Sequence, residues 1–109
     1  MSASFNDGLR TDDAVITSGT NVTPAIHLGS RTLAGFYFPP TMTSASLAIE
    51  ASPDGASWYS IPTDTGTYAV ASDLYQAVDP AYFIGIRYIR FVGSNEAADR
   101  TIKAISCLI

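Results

Sequence analysis

The chain has 109 residues, 47% hydrophobic and 15% charged, with six Lys and Arg against ten Asp and Glu for a net charge of −4. That is enough chain for one buried core, and it is too apolar and too sparsely charged for a disordered segment. The acidic balance argues against a nucleic-acid partner, and no apolar stretch approaches the about 20 residues of a membrane helix.

Residues 1–12 are polar and without period, and Gly8 and the Asp12–Asp13 pair interrupt them. They are expected to form an extended N-terminal arm, with residues 13–109 as the folded domain. From Asp13 onward short apolar runs alternate with turn residues. The runs are Ala14–Thr17, Pro24–Leu28, Thr32–Phe38 and Ser46–Ala51, then Trp58–Ile61, Tyr68–Val70 and Leu74–Val78. In Ser46–Ala51, Leu47 and Ile49 alternate with Ala48 and Glu50, so one face is core. Ser52-Pro53-Asp54-Gly55 is a turn, because Pro fixes φ and Asp and Gly tolerate a tight reversal. Asp79-Pro80-Ala81-Tyr82-Phe83 predicts a single helical turn, with Asp79 as cap and Pro80 at the first helical position. Arg87–Val92 places Ile89 and Phe91 on one face and Tyr88 and Arg90 on the other. Arg100–Ile109 is the last strand.

No window has the period of a long amphipathic helix. Strand formers recur about every ten residues, the pattern of a sandwich or barrel of about eight to ten strands. Cys107 is the single cysteine, so an intrachain disulfide is impossible, and it reads as a buried inert thiol. Met1–Asp7 has no basic region leading into an apolar one. A secretory leader is therefore not expected, and folding in a cytoplasm is.

The second half carries a family pattern. Ser52-Pro53-Asp54-Gly55-Ala56-Ser57-Trp58 is similar to the S-x-D-G-x-x-W turn and strand of galactose-binding-like jelly rolls, the discoidin and carbohydrate-module superfamily. Asp79–Phe83 followed by Arg87-Tyr88-Ile89-Arg90-Phe91 resembles that group's aromatic-anchored turn and R-Y-I-R-L strand, with Phe91 where Leu is usual. The similarity covers about residues 45–109. Without the paired cysteines of extracellular discoidin domains, the chain resembles small virion proteins of tailed bacteriophages, above all capsid decoration (cement) proteins. The resemblance implies an all-β jelly-roll β-sandwich with an extended N-terminal arm. It also implies Trp58 turned inward and Tyr59 outward. The function it implies is a non-enzymatic cement protein on the capsid exterior, made in the host cytoplasm. Its partners would be the major capsid protein and two further copies of itself in a homotrimer, with no cofactor. The alternative is a carbohydrate-binding or tail/neck accessory module.

The residues agree with a binding role better than with a reaction. His27 is the only histidine and lies in an apolar run, and no His/Cys/Asp group has metal-ligand spacing. No catalytic or metal residue is therefore assigned. Asp54, Asp64, Asp73 and Asp79 all fall in turns, where Asp serves backbone geometry. Loop oxygens for a calcium ion are available from Asp7, Asp12, Asp13, Glu96 and Asp99. Six tyrosines and five phenylalanines are many for so thin a core, and aromatics favour interfaces. The candidate capsid or subunit contacts are Phe5, Arg10, Tyr37, Tyr88 and Arg90, with Asp99 as a possible intrachain partner for Arg90. The candidate carbohydrate residues are Asp54, Trp58 and Tyr59.

Overall fold

Alternating apolar residues and frequent turns give strands, and a computed structural model covering residues 8–61 and 67–108 shows how they assemble. Phe5, Asp7 and Asp64 lie outside these described residues. Nine strands are described: β1 (Leu9–Ile16), β2 (Ile26–His27), β3 (Arg31–Tyr37), β4 (Ser46–Ser52), β5 (Tyr59–Ser60), β6 (Tyr68–Ala69), β7 (Tyr75–Ala77), β8 (Tyr88–Val92) and β9 (Arg100–Leu108). They form two antiparallel sheets, ordered β1-β9-β3-β7 and β2-β8-β4-β5, with β6 added beside β4. The described helix is the predicted turn at Pro80–Phe83, a 3-10 helix whose Asp79 carboxylate accepts the Ala81 N–H.

The sheets bury their facing sides against each other. Ala14, Ile16, Leu33, Phe36, Ile102 and Ala104 come from the first sheet, and Ile26, Leu47, Ile49, Ile89 and Phe91 from the second. Phe36 is the hub. Its ring centroid lies 4.9 Å from Phe91 across the sandwich and 5.2 Å from Phe38, both edge-on. Such pairs add about 1 kcal/mol beyond the area they bury.

The expected boundary between an arm ending at residue 12 and a domain starting at 13 is not there. Strand β1 begins at Leu9 and pairs with β9 without a break, from Leu9 opposite Cys107 to Ile16 opposite Arg100. Polar residues pair here because a ladder needs only backbone groups. Arg10 and Asp12 share the inward side of β1 with Ala14 and Ile16. They tolerate it by bonding to each other at 2.8 Å, and Arg10 Nη2 also donates to the His27 carbonyl of β2.

One buried carboxylate organises the loops at the end of the sandwich. Glu96 is 2% exposed. Its Oε1 accepts the Thr43 N–H at 2.7 Å and Arg100 Nε at 2.9 Å; its Oε2 accepts the Ser44 N–H at 2.8 Å and the Ser44 hydroxyl. The backbone of Glu96 is also bonded to Gly19 and Thr20. Burial by itself pushes this carboxyl up. The Ser44 hydroxyl, the Thr43 and Ser44 amides and Arg100 outweigh it and hold the group down at about 2.

Candidate functional site

Each sheet has an outer face: Tyr88, Arg90 and Trp58 lie on that of the second sheet and Tyr37 on that of the first, while Arg10 stays on the inward side of β1. On the second sheet, strand alternation turns Tyr88 and Arg90 outward and Ile89 and Phe91 inward, as the sequence predicts. The register places Glu50 opposite Arg90. Arg90 Nε and Nη2 both donate to Glu50 Oε1 at 2.7 Å. The same guanidinium lies over Trp58, its Cζ 4.4 Å from the ring centre. Two expectations are thereby corrected. Arg90 pairs with Glu50 and not Asp99, because the two stand opposite each other in adjacent strands; Asp99 accepts the Ser18 N–H instead. Trp58 is half-buried under Arg90 on the outer face rather than inside, because the core is already closed by Phe36, Phe38 and Phe91.

Tyr88 is sandwiched on the same face. His27 stands opposite it in β2, with ring centroids 4.8 Å apart and stacked. On the other side the turn at Gly55 packs against the Tyr88 ring; a Cβ there would be 3.8 Å from it. Gly55 has φ +81, a conformation that Gly adopts without strain. Asp54 spends one carboxylate oxygen on its own turn, accepting the Ala56 and Ser57 amides at 2.9 Å and the Ser52 hydroxyl at 3.0 Å. The Ser57 and Ala56 amides, with the Ser52 hydroxyl, lower its pKa. Tyr59 is 61% exposed. It lines a shallow groove with Pro53, Gly85 and Ile86, away from the Arg90–Trp58 stack. Asp54, Trp58 and Tyr59 therefore do not converge on one ligand position.

The first sheet presents a more apolar outer face. Leu9 and Thr11 of β1, Ile105 of β9, Tyr37 of β3 and Tyr75 of β7 line one shallow depression. Tyr37 is 46% exposed and tilts against Tyr75, ring centroids 4.7 Å apart. Tyr75 lies flat across β3 because Gly35 leaves room: a Cβ on Gly35 would meet the Tyr75 hydroxyl at 2.1 Å. Burial, then the neighbouring Tyr37 and Cys107, raise the Tyr75 phenol above its usual pKa. Of the contact candidates among the described residues, Tyr37 alone reaches this face. Arg10 is tied to Asp12 and His27, and Cys107 is half-buried, not fully.

Next to this depression the first sheet splits. A groove of about 760 Å³ opens between Tyr37, Pro39 and Pro40 on one side and Asp13, Asp99, Thr101 and Lys103 on the other, with Asp73 at its rim. Sequence reasoning missed this groove and the role of Glu96. The Pro39–Pro40 pair was the available signal for the split, since it ends a strand that its neighbours continue. Glu96 lies in a polar loop and gives no local sign of burial. Among the described residues no group of three or more His, Cys, Asp or Glu is placed to hold a metal ion. Of the loop oxygens considered for calcium, Asp12, Asp13 and Glu96 are paired with Arg10, Lys103 and Arg100.

No protein-family model matches the chain, and no curated protein matches it in sequence. Its fold is similar to that of the SPBc2 prophage-derived protein YomS, known from a crystal structure. The TM-score is 0.59 at 16% identity, over 90% of this chain and 93% of that one. The likeness extends along nearly the whole length of both chains.

Proposed function

We propose that this chain is a non-enzymatic structural protein of a tailed-phage particle that binds the outside of the capsid and stabilises it. It is made in the host cytoplasm, needs no cofactor, and engages the major capsid protein and further copies of itself. The observation that carries this reading is the near full-length likeness to a prophage-derived protein. Two further features support it. Successive strands β1 to β4 cross from one sheet to the other, and the orders β1-β9-β3-β7 and β2-β8-β4-β5 suit the two interleaved Greek keys of a jelly roll. Such a sandwich is rigid, which is what a clamp between capsomers needs. A homotrimer would match the local three-fold positions of a shell, since closed symmetry must agree at both ends of a contact.

The divergence of Asp54, Trp58 and Tyr59 favours a protein-docking role over the carbohydrate module. The test is particle composition and position. Purified particles of the encoding phage are analysed by mass spectrometry, and intact particles are labelled with gold-conjugated antibody to the chain. The reading expects the chain in the particle with label over the head. Label confined to the tail or neck would make it an accessory subunit there, and absence from the particle would overturn the proposal.

A further inference from the structure

The split in the first sheet has a backbone cause. Strands β3 and β9 pair, with a bulge between Leu33 and Gly35, as far as Tyr37 opposite Lys103 and stop there. Beyond that point β9 stays with β1, out to Arg100 opposite Ile16. The chain leaving β3 stays with the approach to β7: Phe38 N–H donates to the Leu74 carbonyl at 2.9 Å, and Asp73 N–H to the Pro39 carbonyl at 3.3 Å. Pro39 and Pro40 have no N–H and cannot donate across to β9. Among the described residues no strand therefore lies beside the edge of β9 from Arg100 to Ile102, where Arg100 and Thr101 line the groove, while its other edge is paired. An unpaired strand edge is a template for another chain.

The charges along the groove select what could lie there. Lys103 is paired with Asp13 at 3.0 Å, and Arg100 with Glu96 at 2.9 Å. The carboxylate of Asp73 has no hydrogen bond or ion pair among the described residues. Asp99 uses one oxygen on the Ser18 N–H and leaves the other open. Both cations are neutralised and two carboxylates are not, so the groove is net acidic. The half-exposed ring of Tyr37 borders the same space and offers an aromatic surface to an aliphatic stem or a cation.

We propose that this split receives an extended, basic peptide segment of a partner protein, added as a strand against the free edge of β9. Main-chain hydrogen bonds would supply affinity, and the acidic rim would select Lys and Arg side chains. The proposal rests on the reading of the chain as a protein that docks on other proteins, and it names the chemistry of one docking segment.

The test uses the intact chain and fluorescein-labelled octapeptides, read by fluorescence anisotropy. One peptide alternates Lys or Arg with Val and Thr. A second carries Glu at the basic positions. A third is the basic peptide with alternate backbone nitrogens methylated, which removes its strand-pairing donors. The proposal expects saturable binding of the basic peptide alone, weakening as salt rises. D73N keeps a residue that tolerates the φ of +54 at this position and should weaken binding about two- to fivefold, the range of a single exposed charge pair. K103A uncovers Asp13 and should tighten binding by a similar factor. Circular dichroism verifies that both variants are folded. Equal binding of acidic and basic peptides, binding unaffected by backbone methylation, or no binding would each overturn the proposal. So would capture of a neutral oligosaccharide by the groove in place of the peptide. Peptide binding by a chain absent from phage particles would uphold this site and remove the capsid role; particle localisation without peptide binding would do the reverse.

Discussion

Replacing Glu96 by Gln tests the claim that one buried carboxylate holds the loops together. The side chain is fully buried, and each of its oxygens accepts from two donors. An amide can present one oxygen only. Turned with its NH₂ toward the Thr43 N–H and Arg100, Gln loses both of those bonds; turned toward Ser44, it loses the bond to the amide while the hydroxyl can accept instead, and in either orientation Arg100 loses its counter-charge. Hydrogen bonds to a charged group contribute roughly 1.5–3 kcal/mol each, and breaking a buried ion pair costs about 3–5 kcal/mol. A loss near 4 kcal/mol is a large part of the total for a domain of this size. With a urea slope of about 1–1.5 kcal/mol per molar, the midpoint should fall by about 3 M. The assay is urea unfolding followed by the fluorescence of Trp58, the single tryptophan. A loss below about 0.5 kcal/mol, inside the range of an ordinary surface change, would refute the reasoning. The same group sets an acid limb. Its folded pKa is about 2 against an ordinary 4.5, so its contribution is present above pH 4.5 and is lost as pH falls toward 2. That loss is about 3 kcal/mol by linkage. The Gln variant should lack this part of the acid dependence, and an unchanged slope between pH 5 and 2 would contradict the assignment.

Gly35→Ala should lower stability by about 1–3 kcal/mol, because the new methyl meets the Tyr75 ring and the Gln76 carbonyl; thermal unfolding reads this, and an unchanged midpoint would show that Tyr75 does not cross β3. Arg90→Ala should shift Trp58 emission to the red and lower stability by about 1 kcal/mol, since it uncovers the ring and unpairs Glu50. Unaltered emission would deny the stacking. Ser106→Ala removes a buried hydroxyl that has no hydrogen-bond partner among the described residues. It should be neutral or stabilising by up to about 1 kcal/mol in urea unfolding, and a clear loss would reveal a partner for that oxygen.

Segments whose signal is local were readable from the residues. In β8, Ile89 and Phe91 alternate with Tyr88 and Arg90, and period two fixes which pair faces the core. The Ser52–Gly55 turn and the Asp79-capped turn follow from side chains that bond their own backbone within three residues. The start of β1 was hidden because Arg10 and Asp12 occupy inward positions. They neutralise each other near the end of the sandwich, a compensation that composition cannot show.

The sequence by itself determined where strands and turns form, because backbone preference and alternation act over a few residues. Only the tertiary structure decided which strands became neighbours, that Arg90 meets Glu50 and Trp58, that Glu96 is enclosed, and that β3 and β9 part at Tyr37. These depend on contacts between residues distant in sequence, where many pairings satisfy the same local pattern. Close packing of one shared core around Phe36 selects among them.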